Sequence, residues 1–237
     1  MRREFAPSGV LRAGINLGNP VIAQADPAGG EPRGVGPALA RGLAARLGLP
    51  VAFTTYETAG RLADAVTQGA WDVAFLAIDP ERAREIAFTD AYVHIEGTYM
   101  VRADSPLRHV GDVDREGVRV AVGLKTAYDL FLTRTLEHAQ LVRSASSKTA
   151  IAQFVADGLD AVAGVRQPLV AAAQGMPGMR IMEDSFMVIR QAAAVPKGRP
   201  GPHAFLDRFI EDAKASGFVA RALDESGVAA TLAPPRR

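Results

Sequence analysis

The chain of 237 residues contains no cysteine, which excludes disulfides, thiolate nucleophiles and cysteine-based zinc sites. It has no surplus of charge of either sign: 27 Lys and Arg face 26 Asp and Glu, a formal net charge of +1. Without excess positive charge to neutralise phosphates, nucleic acid is excluded as a partner. The four histidines, His94, His109, His138 and His203, share no HxH or HExxH spacing, so no metal site is expected. No apolar run approaches the roughly 18 residues that span a bilayer, and no membrane insertion is expected. Neither a GxGxxG nor a Walker loop occurs, so no cofactor is expected. Behind Arg2 and Arg3 there is no apolar segment, hence no export signal. On that ground the protein is expected in the cytoplasm if Met1 is the native start.

What is present is an ordinary globular composition, 48% hydrophobic and 22% charged, with length between that of one and two domains at about 150 residues each. Strand-like and helix-like patterns alternate. Val10 to Ile15 reads as a buried strand ending at Asn16. Leu39, Leu43 and Leu47 recur every four residues in an Ala-rich run closed by Gly48, a helix with its stop signal. Val51 to Tyr56 is a strand, Leu62 and Val66 mark a helix closing near Gly69, and Asp72 to Leu76 is a third strand, with Trp71 just before it expected at the rim. This order is the pattern of a parallel α/β sheet with right-handed crossovers.

Gly97 to Arg102 is a further strand, and Asp104-Ser105-Pro106 reads as a boundary. A second α/β set follows. Its strands are at 118–122, 141–143, 159–165 and 180–182, its helices at 126–138, 149–157 and 168–174. Ile189 to Val195 returns as a strand, two helices around Phe205 to Ala213 and Phe218 to Leu223 close the chain, and the tail Ala233 to Arg237 is expected to fray. Two α/β halves, with one strand leaving and another returning, predict two lobes on a hinge, and the ligand beyond the carboxyl ends of the strands, in the cleft between them.

Several motifs in this order carry a resemblance. They are Gly69-Ala70-Trp71-Asp72-Val73-Ala74, then Asp79-Pro80-Glu81-Arg82 and Phe88-Thr89-Asp90-Ala91-Tyr92, then Val120-Ala121-Val122 running into Lys125-Thr126, and Lys214-Ala215-Ser216-Gly217 near the end. Together, from about Val10 to Leu223, they resemble the family 3 solute-binding proteins of polar amino-acid ABC transporters. The resemblance implies a type II periplasmic-binding-protein-like α/β fold of two lobes, each a mostly parallel sheet flanked by helices, joined by a two-strand hinge. Residues 1–101 and 191–237 would form the first lobe and 102–190 the second. It also implies a small-molecule ligand, an ABC-transporter membrane subunit as partner, and a periplasmic location if a leader has been trimmed.

Candidate binding residues follow from position. Asp79 can cap a helix whose first residue is Pro80, which puts Arg82 at a helix start just past a strand's carboxyl end. There a guanidinium can grip a carboxylate through two parallel hydrogen bonds; by resemblance Arg82 matches the family's carboxylate-binding arginine. The competing role is a surface pair with Glu85. Thr126 follows a strand and opens a helix, so its hydroxyl and the first free amides form an anion site, again where the family has a carboxylate-binding threonine. Lys125 stands where the family frequently has glycine, and either adds charge at the cleft edge or points to solvent. Asn16 is a polar contact at the end of the first strand or a turn residue. Gln191 hydrogen-bonds a ligand or the other hinge strand.

The departures from the family pattern point away from an α-amino acid. The loop before Arg82 is two residues short, and Ala77 falls where the family supplies small polar groups for the ligand's amine. The family's ammonium-pairing acid should fall near Val165 or Arg166, and neither is acidic. The positions of the family's sandwiching aromatics hold Asn19 and Ala59. An unpaired buried ammonium is costly, whereas Arg82, Lys125 and Arg166 together suit a carboxylate or dicarboxylate. Glu96 could supply the missing acid by another route, or make a salt bridge at the hinge. The expected function is therefore a non-enzymatic solute-binding protein that captures a small organic anion, a carboxylate or dicarboxylate with amino-acid derivatives among the candidates, by hinge closure, as for an ABC-type importer. The alternatives are a cytoplasmic small-molecule sensor, or an enzyme resembling cyclohexadienyl dehydratase with Glu96 or Lys125 as general acid.

Overall fold

A computed structural model describes residues 1–236. In chain order the elements are α1 (Arg2–Phe5), β1 (Leu11–Asn16), α2 (Val35–Leu47), β2 (Val51–Tyr56), α3 (Ala59–Asp64), β3 (Val73–Ala77) and β4 (Ile86–Arg102). Then come β5 (Arg119–Gly123), α4 (Ala127–Thr135), β6 (Gln140–Ser144), α5 (Ser147–Ala156), β7 (Ala161–Val165), α6 (Arg166–Gln174) and β8 (Met179–Ile181). The chain closes with β9 (Met187–Pro196), α7 (Pro200–Ala215), α8 (Phe218–Glu225) and β10 (Thr231–Leu232). It divides into two compact units, Met1–His94 with Arg190–Arg237, and Ile95–Ile189. The chain passes from one to the other within β4 and returns within β9.

The first unit is ordered β2-β1-β3-β9-β4. β1 runs parallel to β2 and β3, whereas β9 runs antiparallel to β3 with Phe75 opposite Ala193 and Ala77 opposite Gln191. All five residues of β3 are buried, as a strand covered on both faces requires. The leucines of α2 face this core, and Gly48 ends that helix in the left-handed conformation at φ 64°. On the other face Leu62, Ala74, Leu76, Ile86 and Trp71 pack together. Trp71 was expected at the rim; instead it is fully buried, and its indole N–H is satisfied by the Leu62 carbonyl at 3.0 Å. Asp72 closes the opposite end of the strands. Its carboxylate accepts from Arg12 Nε at 3.0 Å, Nη2 at 2.8 Å and the Arg12 amide at 3.1 Å.

The second unit is ordered β4-β7-β5-β6, with β8 also on β4. β5 is parallel to β6 and β7, and β4 is antiparallel to β7. Its core gathers Met100, Ala121, Phe154, Leu159, Val162 and Leu169. α5 starts on a reciprocal cap between Ser146 and Thr149.

Three further expectations change. The helix expected from Pro80 does not form: Asp79 Oδ1 accepts the Glu81 amide at 2.8 Å in an Asx turn, and only a single 3₁₀ turn, Arg82–Arg84, follows. The chain then extends for 17 residues as β4, because Phe88, Tyr92, Val93, Ile95, Tyr99 and Val101 supply the aromatic and branched side chains that favour strands. The expected helix at 126–138 stops at Thr135. The tail does not fray within the described residues. β10 pairs with β4, Ala233 donates to the Tyr92 carbonyl at 3.1 Å, and Arg236 bridges Asp90 and Asp207. Arg237, the last of the residues expected to fray, lies outside the described residues.

Candidate functional site

In the first unit, four predicted residues lie at the carboxyl-terminal edge of the parallel strands. Asn16 ends β1, Ala77 ends β3, Gln191 lies opposite Ala77 on β9, and Arg82 follows β3 by one turn. Arg82 is 6% exposed and its Nη1 donates to the Ala77 carbonyl at 3.0 Å. Burial pulls its pKa down to about 10, against the partly offsetting pull of Asp79, Glu81 and Asp64. The guanidinium is thus a cation short of water, held at a strand end. Asn16 Oδ1 accepts the Gly18 amide at 2.9 Å. Glycine is required at position 18, since a Cβ there would sit 2.5 Å from the Glu57 carbonyl oxygen.

In the second unit, Lys125 and Thr126 form the turn between β5 and α4. Thr126 is a full N-cap: its hydroxyl donates to the Gly123 carbonyl at 2.8 Å and accepts the Asp129 amide at 3.1 Å. The amides of the first turn of α4 carry the positive end of the helix. Lys125 has φ 56° and is the non-glycine residue with positive φ among those described. That geometry explains why a glycine would suit the position. Two residues that the sequence reading passed over hold the turn. Asp129, buried at 3% exposure, accepts the Lys125 amide on Oδ2 at 2.7 Å and Arg143 Nε on Oδ1 at 2.9 Å. Arg143 also reaches Thr133 Oγ1 at 2.8 Å. Asp129 at the third helical position was a readable capping signal; its arginine partner, 14 residues on, was not. Gly123 is needed for close approach, because a Cβ would lie 2.7 Å from the Ser147 amide nitrogen.

Glu96 and Arg166 come together. Arg166 Nε donates to Glu96 Oε2 at 2.5 Å, and its Nη1 and Nη2 donate to the carbonyls of Met182, Glu183 and Asp184. Arg166 is therefore spent on a carboxylate and three carbonyls of its own unit, and Glu96 is balanced by it. A separate cavity of about 240 Å³ in the first unit is lined by Arg46, Phe205, Arg208 and neighbouring acids and contains none of the predicted residues. Among the described residues no cluster of His, Asp and Glu could hold a metal, and no helix is long and apolar enough to cross a membrane.

Residues 11–226 match the sequence profile of the bacterial extracellular solute-binding proteins, family 3. The chain belongs to that family. No curated protein sequence matches this family 3 solute-binding protein. Solved structures do. A P235GK mutant of the arginine-binding protein ArgBP from T. maritima is 23% identical, with 94% of this chain and 97% of that one covered and a TM-score of 0.79. A histidine kinase sensor domain with similarity to periplasmic binding proteins is 20% identical over 94% and 98% of the two chains, TM-score 0.80. An ancestral amino acid-binding protein, a precursor of cyclohexadienyl dehydratase, is 22% identical over 94% and 96%, TM-score 0.77. At these identities the likeness establishes the fold, the type II periplasmic-binding-protein-like α/β architecture expected from the sequence.

Proposed function

We propose that this solute-binding protein captures a small organic carboxylate and catalyses no reaction, with Arg82 as the anchor of the first unit. The observation that carries the reading is the buried, desolvated Arg82 guanidinium at the carboxyl end of β3. A carboxylate reaching that guanidinium would be held by charge-assisted, bidentate bonds alongside the contacts the arginine already makes within its own unit. In the second unit the first-turn amides of α4 behind Thr126 supply a further anion-holding group, with Lys125 beside them. The Glu96–Arg166 pair supports a reading in which Glu96 is balanced within the protein rather than by a ligand's ammonium, and Arg166 likewise rather than by a second carboxylate. That favours a carboxylate without an α-ammonium over a standard amino acid, although relatives are named for binding arginine or amino acids.

Ligand-driven closure about β4 and β9, delivery to an ABC-transporter membrane subunit, and a location outside the cytoplasm belong to this proposal on the strength of family membership. A sensor role is the second reading, supported by the sensor domain of the same fold. The test is thermal unfolding of protein refolded from denaturant to strip carried-over ligand. A ligand at 100 times its Kd adds about 2.7 kcal/mol, a shift of about 5–10 °C for a chain of this size. Simple and substituted carboxylates should produce the shift, and Arg82→Ala should remove it. Shifts from amino acids alone, or a carboxylate shift that survives Arg82→Ala, would overturn the proposal.

A further inference from the structure

Gln191 breaks the pattern of its strand. The residues after it, Ala192, Ala193, Ala194 and Val195, are fully buried and apolar. Gln191 is itself 4% exposed, yet its carboxamide makes no hydrogen bond with any described residue. A carboxamide offers one acceptor and two donors, and those of Gln191 are not among the side-chain atoms sealed from solvent without a partner, so they open onto the little surface this residue keeps. A nearly buried polar end that no described side chain engages is open to a bound molecule. The neighbourhood indicates what that is. Gln191 lies directly opposite Ala77 in the antiparallel β3–β9 pair, so both side chains emerge on one face. Ala77 fills that face with only a methyl group, and its carbonyl holds Arg82 Nη1 at 3.0 Å. A second carboxamide ends the adjacent strand on the other side of β3: Asn16 is 8% exposed, and its Oδ1 is engaged by Gly18 while its Nδ2 has no partner among the described residues.

We infer that Gln191 is a specificity-determining residue: it meets an uncharged hydrogen-bonding group on the ligand, next to the carboxylate held by Arg82. The inference rests on the carboxylate reading of Arg82 and names the ligand class within it. A carboxamide both donates and accepts, so it suits a hydroxyl or a keto oxygen. It carries no charge and cannot neutralise an ammonium. The class selected is 2-hydroxy and 2-oxo carboxylic acids, in preference to the amino acids of the same carbon skeleton.

The experiment is calorimetric titration of refolded protein with three matched sets. These are lactate, malate and 2-hydroxyglutarate; their 2-oxo counterparts; and alanine, aspartate and glutamate, with propionate, succinate and glutarate as unsubstituted controls. Wild type should bind a hydroxy or oxo acid at least about tenfold more tightly than its amino and unsubstituted analogues, a difference of about 1.4 kcal/mol. Gln191→Leu should remove that tenfold while leaving the unsubstituted acid within about twofold, and Gln191→Glu should shift preference to the amino acid. Unchanged preference in Gln191→Leu overturns the inference; if Arg82→Ala still abolishes binding, the carboxylate reading stands without it. Binding that survives Arg82→Ala overturns the carboxylate reading and the ligand class with it. Wild-type protein that binds none of these acids refutes both.

Discussion

Lys125→Gly should make the protein more stable, although it deletes a side chain. Lys125 sits at φ 56°, a conformation that costs an L-residue with a Cβ about 1–2 kcal/mol. Glycine escapes that cost but loses about 0.5–1 kcal/mol through the greater freedom of its unfolded chain. With the middle of each range the difference is a net gain of about 0.75 kcal/mol, or about 1.5–3 °C in melting temperature for a chain of this length. The lysine tolerates its conformation because its amide donates to Asp129 Oδ2 at 2.7 Å. A bond to a charged acceptor contributes about 1.5–3 kcal/mol, enough to outweigh the strain, and glycine keeps it because the donor is backbone. Urea unfolding and thermal melts of four variants at this position provide the assay. The expected order of stability is glycine, then asparagine, which tolerates the left-handed region, then lysine, then valine, whose branched Cβ fits it worst. Glycine no more stable than lysine, or valine equal to lysine, would refute the reasoning by showing that the turn relaxes to negative φ.

Asp129→Ala should destabilise by about 1–3 kcal/mol, since it leaves the Lys125 amide unmet and removes the partner of Arg143 Nε; denaturant unfolding reads this directly. Asp72→Ala should cost a similar amount, about 1–3 kcal/mol, through loss of the two side-chain bonds and one amide bond from Arg12, and a loss below about 0.5 kcal/mol would show the clamp to be redundant. His94 has its pKa held below the ordinary 6.5, by burial first and then by Arg190 and Lys214. The unfolded chain therefore takes up the proton first, and stability should fall as pH drops below 6.5 toward the folded value. An NMR titration of the His94 ring with a midpoint above 6.5 would contradict this.

Much of the fold was readable because its signals are local. The Leu39, Leu43, Leu47 repeat stopped by Gly48, and the apolar runs at 73–77 and 161–165, depend on neighbours in sequence. Misreadings arose where one residue type serves two local structures. Asp79 before Pro80 suits a helix cap and an Asx turn equally, and a long strand downstream decided between them. Trp71 looked like a rim residue because nothing nearby in sequence reveals that Leu62 offers a carbonyl to its indole. Among the candidate residues, Arg82, Thr126 and Gln191 could be placed at strand ends from the sequence. The partners that fix their meaning are distant: Glu96 lies 70 residues from Arg166, and the empty hydrogen-bonding capacity of Gln191 depends on what a folded sheet fails to place beside it. Charge inventory alone could not show that Arg166 pairs with Glu96.

The interleaved path of the chain, with the second unit inserted between two parts of the first, bears on how the protein is made. β3 emerges early in synthesis, but the strand that pairs with its far edge, β9, is separated from it by the whole of the second unit. At about 5–20 residues per second on a ribosome, the wait is on the order of ten seconds. Throughout that interval the apolar run Val73-Ala74-Phe75-Leu76-Ala77 has an unpaired side, while residues 95–189 can already fold. The nascent chain should therefore depend on chaperones most while the second unit is being translated. Refolding from denaturant, where β3 and β9 are present together from the start, should be cleaner in dilute solution than synthesis without chaperones.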